Sequence, residues 1–242
     1  MNLIKAEFRK SLIEAVSYYP DYIVGLITDF FILLIVINTE GNTTEKVFGY
    51  ILWMLASGVI SEASMCISTE KQLGTLRNIM IKPYSIAQIV TVKTVVWFSI
   101  NVIKAVITIV IAMVFFGIEN LFRVEYLYIT IFVCIGIMGL SYVLASVTLM
   151  FTKVASFVNI ISYGFLFLSG SIVKIPDVLV YTNPISYGVK YASLILENGL
   201  RFTDTIIFLS ICANWLLVGY LIFKFMFTLM LPLFQLSMLS LI

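Results

Sequence analysis

Three ionisable side chains interrupt long apolar stretches of the sequence: Asp29, Glu62 and Lys104. A charge at the centre of a bilayer costs about 2.5–3.5 kcal/mol on insertion scales, so such residues usually face the interior of a helix bundle. Asn101 lies one helical turn before Lys104 and therefore on the same face. Two interpretations are open: Lys104 forms a structural ion pair with one of the carboxylates, or these four residues line a path for a molecule that crosses the membrane.

A second polar feature is the segment 70–83, which separates two of the apolar stretches. Leu73, Leu76 and Met80 recur at helical spacing, which predicts a short helix with one apolar face. Pro83 ends this helix, because proline lacks an N–H and disfavours helix at the residue before it. Such a helix is either a docking element for another protein or a connector that lies in solvent or on the membrane.

The next helix has a clear start signal. Ser85 and Gln88 have the spacing of a capping box, in which the serine oxygen accepts from the Gln88 N–H and the Gln88 side chain reaches back. The sequence therefore predicts a helix, a sharp turn and a second helix that continues into the third apolar stretch.

Composition decides the class of protein. The chain is 61% hydrophobic and 12% charged, whereas soluble domains carry about a quarter charged residues. It has no histidine, and its three cysteines lie far apart within apolar stretches, which fits no zinc site. The net charge of +2 gives no reason to expect nucleic acid as a partner. This composition predicts an integral membrane protein, and we find no catalytic cluster typical of a membrane enzyme.

Six stretches approach the roughly 20 apolar residues that a membrane helix needs. They are residues 22–37, 47–67, 94–116, 126–151, 154–173 and 205–223. All should be helical, since an open sheet would leave backbone groups unpaired in lipid. The excess of Lys and Arg on one side predicts that both termini are cytoplasmic.

Polar side chains recur at helical spacing within these spans. On the second span they are Ser57, Ser61, Ser64 and Ser68, and comparable stripes occur on the third, fourth and fifth. Small polar residues in membrane helices allow close packing. The stripes therefore indicate either helix contacts or the lining of a path.

Three further segments complete a single domain that covers residues 1–242. Residues 1–20 predict an amphipathic helix that lies at the membrane interface. Residues 176–204 are too apolar for a free loop and predict two short helices that dip back into the membrane, with a turn at Asn183-Pro184. Residues 225–242 form an apolar tail that Pro232 is expected to break.

Two motifs together resemble the type-2 permease subunits of ABC transporters. One is Glu70-Lys71-Gln72-Leu73-Gly74-Thr75-Leu76 followed by Pro83-Tyr84-Ser85; the other is Pro176 followed by Asn183-Pro184-Ile185-Ser186-Tyr187. Their order and the sides of the membrane on which they lie match that family, and the resemblance covers nearly the whole chain. The fold that it implies is an all-α integral membrane protein. Its six transmembrane helices are accompanied by an N-terminal amphipathic helix, a cytosolic coupling helix and a re-entrant outer element before the last span.

The resemblance also implies site residues. The coupling helix would bind a cleft of a separate ATP-binding subunit through Glu70, Leu73, Gly74, Thr75, Leu76, Arg77, Met80 and Pro83. An outer gate would contain Pro176, Asn183, Pro184 and Tyr187. In this reading Gly74 lets two backbones approach closely.

The expected partners follow from the same resemblance. ATP and magnesium should bind the partner subunit and no cofactor should bind this chain, which has no G-x-x-x-x-G-K-[ST] loop for phosphates. A second permease subunit, identical or different, and membrane lipid are further expected partners in a bacterial plasma membrane. The implied function is export of a lipophilic drug, a peptide or a lipid-linked cargo. The alternatives are a membrane immunity protein that sequesters a peptide and a channel that needs no nucleotide.

Overall fold

The computed structural model describes residues 3–75, 84–118, 121–151 and 154–239. Within these ranges the chain is helical and contains no β-strand. The helices are α1 (Leu3–Ser17), α2 (Tyr19–Ile37), α3 (Thr43–Gln72), α4 (Ile86–Phe116), α5 (Val124–Met150), α6 (Ala155–Leu168), α7 (Asp177–Val180), α8 (Pro184–Asn198) and α9 (Phe202–Leu239).

Five of the described helices are long and apolar enough to cross a membrane: α2, α3, α4, α5 and most of α9. The predicted fifth span, residues 154–173, differs from the prediction. Its helix α6 has 14 residues, about 21 Å of helix, whereas the hydrocarbon core is about 30 Å thick. The helix ends early because Ser169 caps it and Gly170 follows with a left-handed φ of +79°.

Helix α3 is the centre of the bundle. It packs against α2, α4, α5, α6 and α8, and most of its apolar window is buried. Tyr50, Leu52 and Ile60 are fully buried along it. The indole N–H of Trp53 donates to the carbonyl of Ser162 at 2.6 Å, which ties α6 to α3.

The polar stripes lie partly in helix contacts. Ser64 is fully buried on α3, and the Ser141 hydroxyl of α5 donates to the Val59 carbonyl of α3 at 3.3 Å. Glycines allow an even closer contact between α5 and α9: a Cβ added at Gly219 would lie 2.0 Å from the carbonyl oxygen of Gly139. The packing interpretation therefore holds for these positions.

The N-terminal segment forms the predicted helix. Helix α1 packs against α4 and buries Ser11, while Phe8 and Leu12 remain about two-fifths exposed. Helix α2 begins at Tyr19, earlier than predicted, with Pro20 in its first turn, where proline costs no hydrogen bond.

The last helix also differs from the prediction. Helix α9 continues without interruption from Phe202 to Leu239, so Pro232 does not break the tail. A proline inside a helix removes one backbone hydrogen bond, and long apolar helices in membrane proteins tolerate this loss.

Candidate functional site

A pocket of about 470 Å³ lies between α1, α2, α3 and α4. It brings together three of the four predicted path residues, Glu62, Asn101 and Lys104, while Asp29 does not line it. The remaining lining residues are Glu14, Tyr18, Asp21, Tyr22, Gly58, Ser61 and Trp97.

Two glycines make room for the polar side chains of α4. A Cβ added at Gly58 would lie 2.3 Å from the Nδ2 atom of Asn101, so a larger residue there would force this amide to shift away from α3. On α2, a Cβ added at Gly25 would lie 3.6 Å from the Lys104 Nζ atom. The lysine ammonium therefore lies directly beside the α2 backbone.

The ammonium of Lys104 contacts an aromatic ring. Its Nζ atom lies 5.0 Å from the ring centroid of Tyr22, and that ring stacks on Trp97 with centroids 6.3 Å apart. The described ion pairs shorter than 4.0 Å are Lys10–Glu14 and Lys190–Asp177, and neither includes Lys104. Lys104 thus makes a cation–π contact with Tyr22, and the ion pair with Asp29 or Glu62 does not occur within 4.0 Å among the described residues.

Asp29 lies further along α2 than Tyr22 and Gly25, on the same helical face. Its side chain is half-buried, and its backbone carbonyl accepts a hydrogen bond of 2.8 Å from the Tyr50 hydroxyl. This bond fixes α2 against α3 beside the pocket.

The segment after α3 is described up to Thr75, and the predicted coupling residues Leu76, Arg77, Met80 and Pro83 lie outside the described residues. Helix α3 ends at Gln72. Leu73 caps it and is 74% exposed, and Gly74 follows with φ +69°.

Gly74 is therefore a helix stop, and a Cβ added there would meet no atom of the described chain within 4 Å. The close backbone approach predicted for it has no counterpart within the described chain. The Thr75 hydroxyl donates to the Glu70 carboxylate across this turn.

Lys71 anchors the end of α3 to α5, a contact that the sequence did not reveal. Its ammonium donates to the carbonyls of Leu149 at 2.8 Å and Thr148 at 3.2 Å, in the last turn of α5. On the far side of the loop the capping box is confirmed. The Gln88 N–H donates to the Ser85 oxygen at 3.2 Å, and the Gln88 side chain accepts from the Ser85 N–H at 2.9 Å.

A family model described as "ABC-2 type transporter" matches residues 1–196, about four-fifths of the chain. The chain belongs to this family. It is an ABC-2 permease and a multi-pass membrane protein, and the family works as the membrane component of ABC transporters beside an ATP-binding partner. A search of curated proteins finds no match.

The predicted outer-gate residues of this permease lie in and beside α7 and α8. The predicted pair of short helices is present: exposed Pro176 precedes α7, and Asn183 caps α8 by accepting from the Ile185 N–H at 3.0 Å. Pro184 is the first residue of α8. Tyr187 is 1% exposed and packs its ring on Tyr181.

One ion pair joins the two short helices of the permease. Lys190 on α8 lies 3.4 Å from the Asp177 carboxylate and 3.3 Å from the Tyr181 hydroxyl. Partial burial lowers the pKa of Lys190. The bonds to these two groups raise it by more than burial lowers it, so the pKa lies above its usual value.

Other features of the permease site had signals in the sequence. The polar stripe of the third span shares its helical face with Trp97, at the spacing Trp97, Asn101, Lys104 and Thr108. Trp97 could therefore have been included in the predicted site. No comparable signal pointed to Lys71, whose acceptors are more than seventy positions away. Among the described residues no cluster of three or more metal-ligating side chains occurs.

Proposed function

We propose that this permease is the membrane subunit of an ATP-driven exporter, with the 70–83 segment as its coupling helix and Asp29, Glu62, Asn101 and Lys104 along its path. The observation that supports the proposal is that one helix, α3, contains both a pocket residue and the start of the 70–83 segment. Glu62 lines the polar pocket. Glu70, the first residue of the 70–83 segment, lies about 12 Å further along the same helix, α3. A displacement of the loop by a partner would therefore move one wall of the pocket.

The exposed start of the loop supports a docking role. Leu73 is 74% exposed at the end of α3, while its neighbour Lys71 is held by α5. A leucine presented on a fixed helix end suits insertion into a groove of another protein. ATP and magnesium would bind that partner.

A sixth crossing is part of the proposal, although α6 alone is short. The chain leaves α5 beside Lys71, at one end of α3. It then reaches Ser171, whose Oγ lies 2.6 Å from the position of a Cβ added at Gly49, near the other end of α3. Gly49 and Lys71 are about 33 Å apart along the helix, which matches the thickness of the hydrocarbon core.

The re-entrant outer element has similar support. The indole N–H of Trp215 donates to the carbonyl of Thr182, between α7 and α8, at 2.7 Å. Trp215 lies about 20 Å along α9 from Phe202, so the α7–α8 turn reaches well below the outer end of α9. Halfway along α8, the hydroxyls of Tyr191 and Thr205 are 2.7 Å apart, and Thr205 lies close to the start of α9.

The remaining parts of the proposal rest on the distribution of Lys and Arg along the chain and on its resemblance to type-2 permeases. Both termini lie in the cytoplasm of a bacterial cell, the N-terminal helix lies at the interface, and a second permease subunit completes the transporter. The cargo is lipophilic: a drug, a peptide or a lipid-linked molecule.

The proposal is tested by affinity purification from native membranes, followed by assay of ATP hydrolysis. The wild-type protein should recover an ATP-binding-cassette subunit whose ATPase activity depends on the permease, and Leu73→Asp should lose both. Leu200, 72% exposed and outside the 70–83 segment, provides the matched control, and Leu200→Asp should retain both. A channel would instead conduct without nucleotide, and a sequestering protein would protect cells equally well with Leu73→Asp.

A further inference from the structure

The polar pocket carries more negative than positive charge. Three carboxylates line it, from Glu14, Asp21 and Glu62, against the single ammonium of Lys104. Glu14 is partly matched by Lys10, at 3.7 Å. Asp21 and Glu62 form no ion pair within 4.0 Å in the described chain, so neither carboxylate is held in a direct salt bridge, although the charge of Lys93 also acts on Glu62.

The pocket also has an aromatic wall that already accepts a cation. Tyr22 and Trp97 stack with nearly parallel rings, 5° apart, and the Lys104 ammonium lies over the Tyr22 face. An electron-rich ring face attracts ammonium and related cations, more strongly when water is excluded. The tethered ammonium therefore shows that this wall accommodates a positive group.

The position of the pocket suits a ligand that arrives through lipid. Glu62 is about 15 Å from the end of α3 at Gln72, which places the pocket in the half of the membrane next to the 70–83 loop. Tyr18 and Asp21, at the junction of α1 and α2, are exposed. The pocket is thus open toward the junction of these two helices.

We infer that this pocket binds a lipophilic cation, such as a quaternary ammonium or phosphonium carried on apolar groups, taken from the membrane leaflet on the loop side. The inference rests on the proposed function and narrows its cargo to positively charged amphiphiles. Glu62 and Asp21 attract the charge, and Tyr22 and Trp97 contact the apolar groups. Lys104 opposes the bound cation and competes with it for the Tyr22 ring.

The test uses two hydrophobic ions of nearly the same size and opposite charge, tetraphenylphosphonium and tetraphenylborate. Binding is measured by equilibrium dialysis against the full chain in nanodiscs of zwitterionic lipid, with empty nanodiscs subtracted. Tetraphenylphosphonium should bind saturably at one site per chain, and tetraphenylborate should not bind above the empty discs.

Variants test how each charged residue of the pocket affects phosphonium binding. Glu62→Gln should weaken phosphonium binding about tenfold, equivalent to about 1.4 kcal/mol. Asp21→Asn, at an exposed position that tolerates substitution, should weaken it several-fold. Lys104→Met should strengthen it, because a like charge is removed. Glu197→Gln, on exposed α8 surface outside the pocket, should leave it unchanged.

Saturable tetraphenylborate binding, weaker phosphonium binding by Lys104→Met, or equal binding by Asp21→Asn and Glu197→Gln would overturn the inference. The assay contains neither ATP nor a partner. A failure here with intact recovery of the ATP-binding subunit would therefore remove only the cationic cargo and leave the proposed function in place.

Discussion

The ammonium of Lys71 donates to the backbone carbonyl of Leu149 at 2.8 Å, and so joins the end of α3 to the end of α5. The carbonyls at a helix C-terminus have no partners within the helix and carry partial negative charge, which a lysine side chain satisfies. Helix α3, which contains Glu62 and leads into the loop, is thus fixed to α5 at its C-terminal end. A force applied at the loop would be transmitted to both α3 and α5.

Replacement of Lys71 should weaken this transmission. We expect Lys71→Met to lower permease-dependent ATP hydrolysis several-fold, while the free energy of unfolding falls by only about 1 kcal/mol, because the contact is partly exposed. Lys71→Arg should restore part of the activity, since it keeps the charge and the donors.

The control for this prediction is Lys224→Met, which removes an exposed lysine of α9. Equal ATPase activity for Lys71→Met and Lys224→Met would show that the α3–α5 contact has no part in coupling.

The contact between Gly139 and Gly219 should tolerate no side chain. An added Cβ at Gly219 would overlap the Gly139 backbone, so Gly219→Ala must separate α5 from α9. Overpacking of this kind costs about 1–3 kcal/mol and should lower the melting temperature in detergent.

Gly164→Ala is the matched control for that measurement, because a Cβ at Gly164 meets no atom of the described chain within 4 Å. If both variants melt at the same temperature, α5 and α9 are not in contact at these glycines.

The bond from Trp215 to Thr182 should hold the turn between α7 and α8 against α9. Trp215→Phe removes the N–H donor but keeps an aromatic ring to pack on Phe165. A lost hydrogen bond of about 1 kcal/mol should speed backbone amide exchange in residues 177–198 about fivefold.

Trp53→Phe is the control for this experiment, since it removes a comparable bond to Ser162 in a different helix pair. Faster exchange of residues 177–198 in Trp53→Phe, and not in Trp215→Phe, would contradict the assignment.

Hydropathy was a good guide to this fold wherever a helix is long and faces lipid. It did not anticipate that the helix of the fifth predicted span ends at Leu168, because the turn at Ser169-Gly170-Ser171 becomes evident only from the backbone conformation. A break at Pro232 was expected from proline rules drawn from soluble helices, whereas α9 continues through this position.

Some polar members of the site were predictable from the sequence, whereas Glu14 and Asp21, which also line the pocket, were not singled out. Glu62, Asn101 and Lys104 were found because charge and amide groups are rare in apolar helices. The contact of Lys104 with Tyr22 was not found, because a single sequence gives periodicity along one helix and no distances between helices. The bond from Lys71 to Leu149 was missed for the same reason.

We propose that the loop after α3 binds an ATP-binding subunit. The most direct test places a photoreactive amino acid at position 73 or at position 200, irradiates intact cells and identifies the crosslinked proteins by mass spectrometry. We expect a crosslink to an ATP-binding-cassette protein from position 73 and none from position 200. Equal crosslinking from both positions, or none from position 73 in correctly inserted protein, would contradict it.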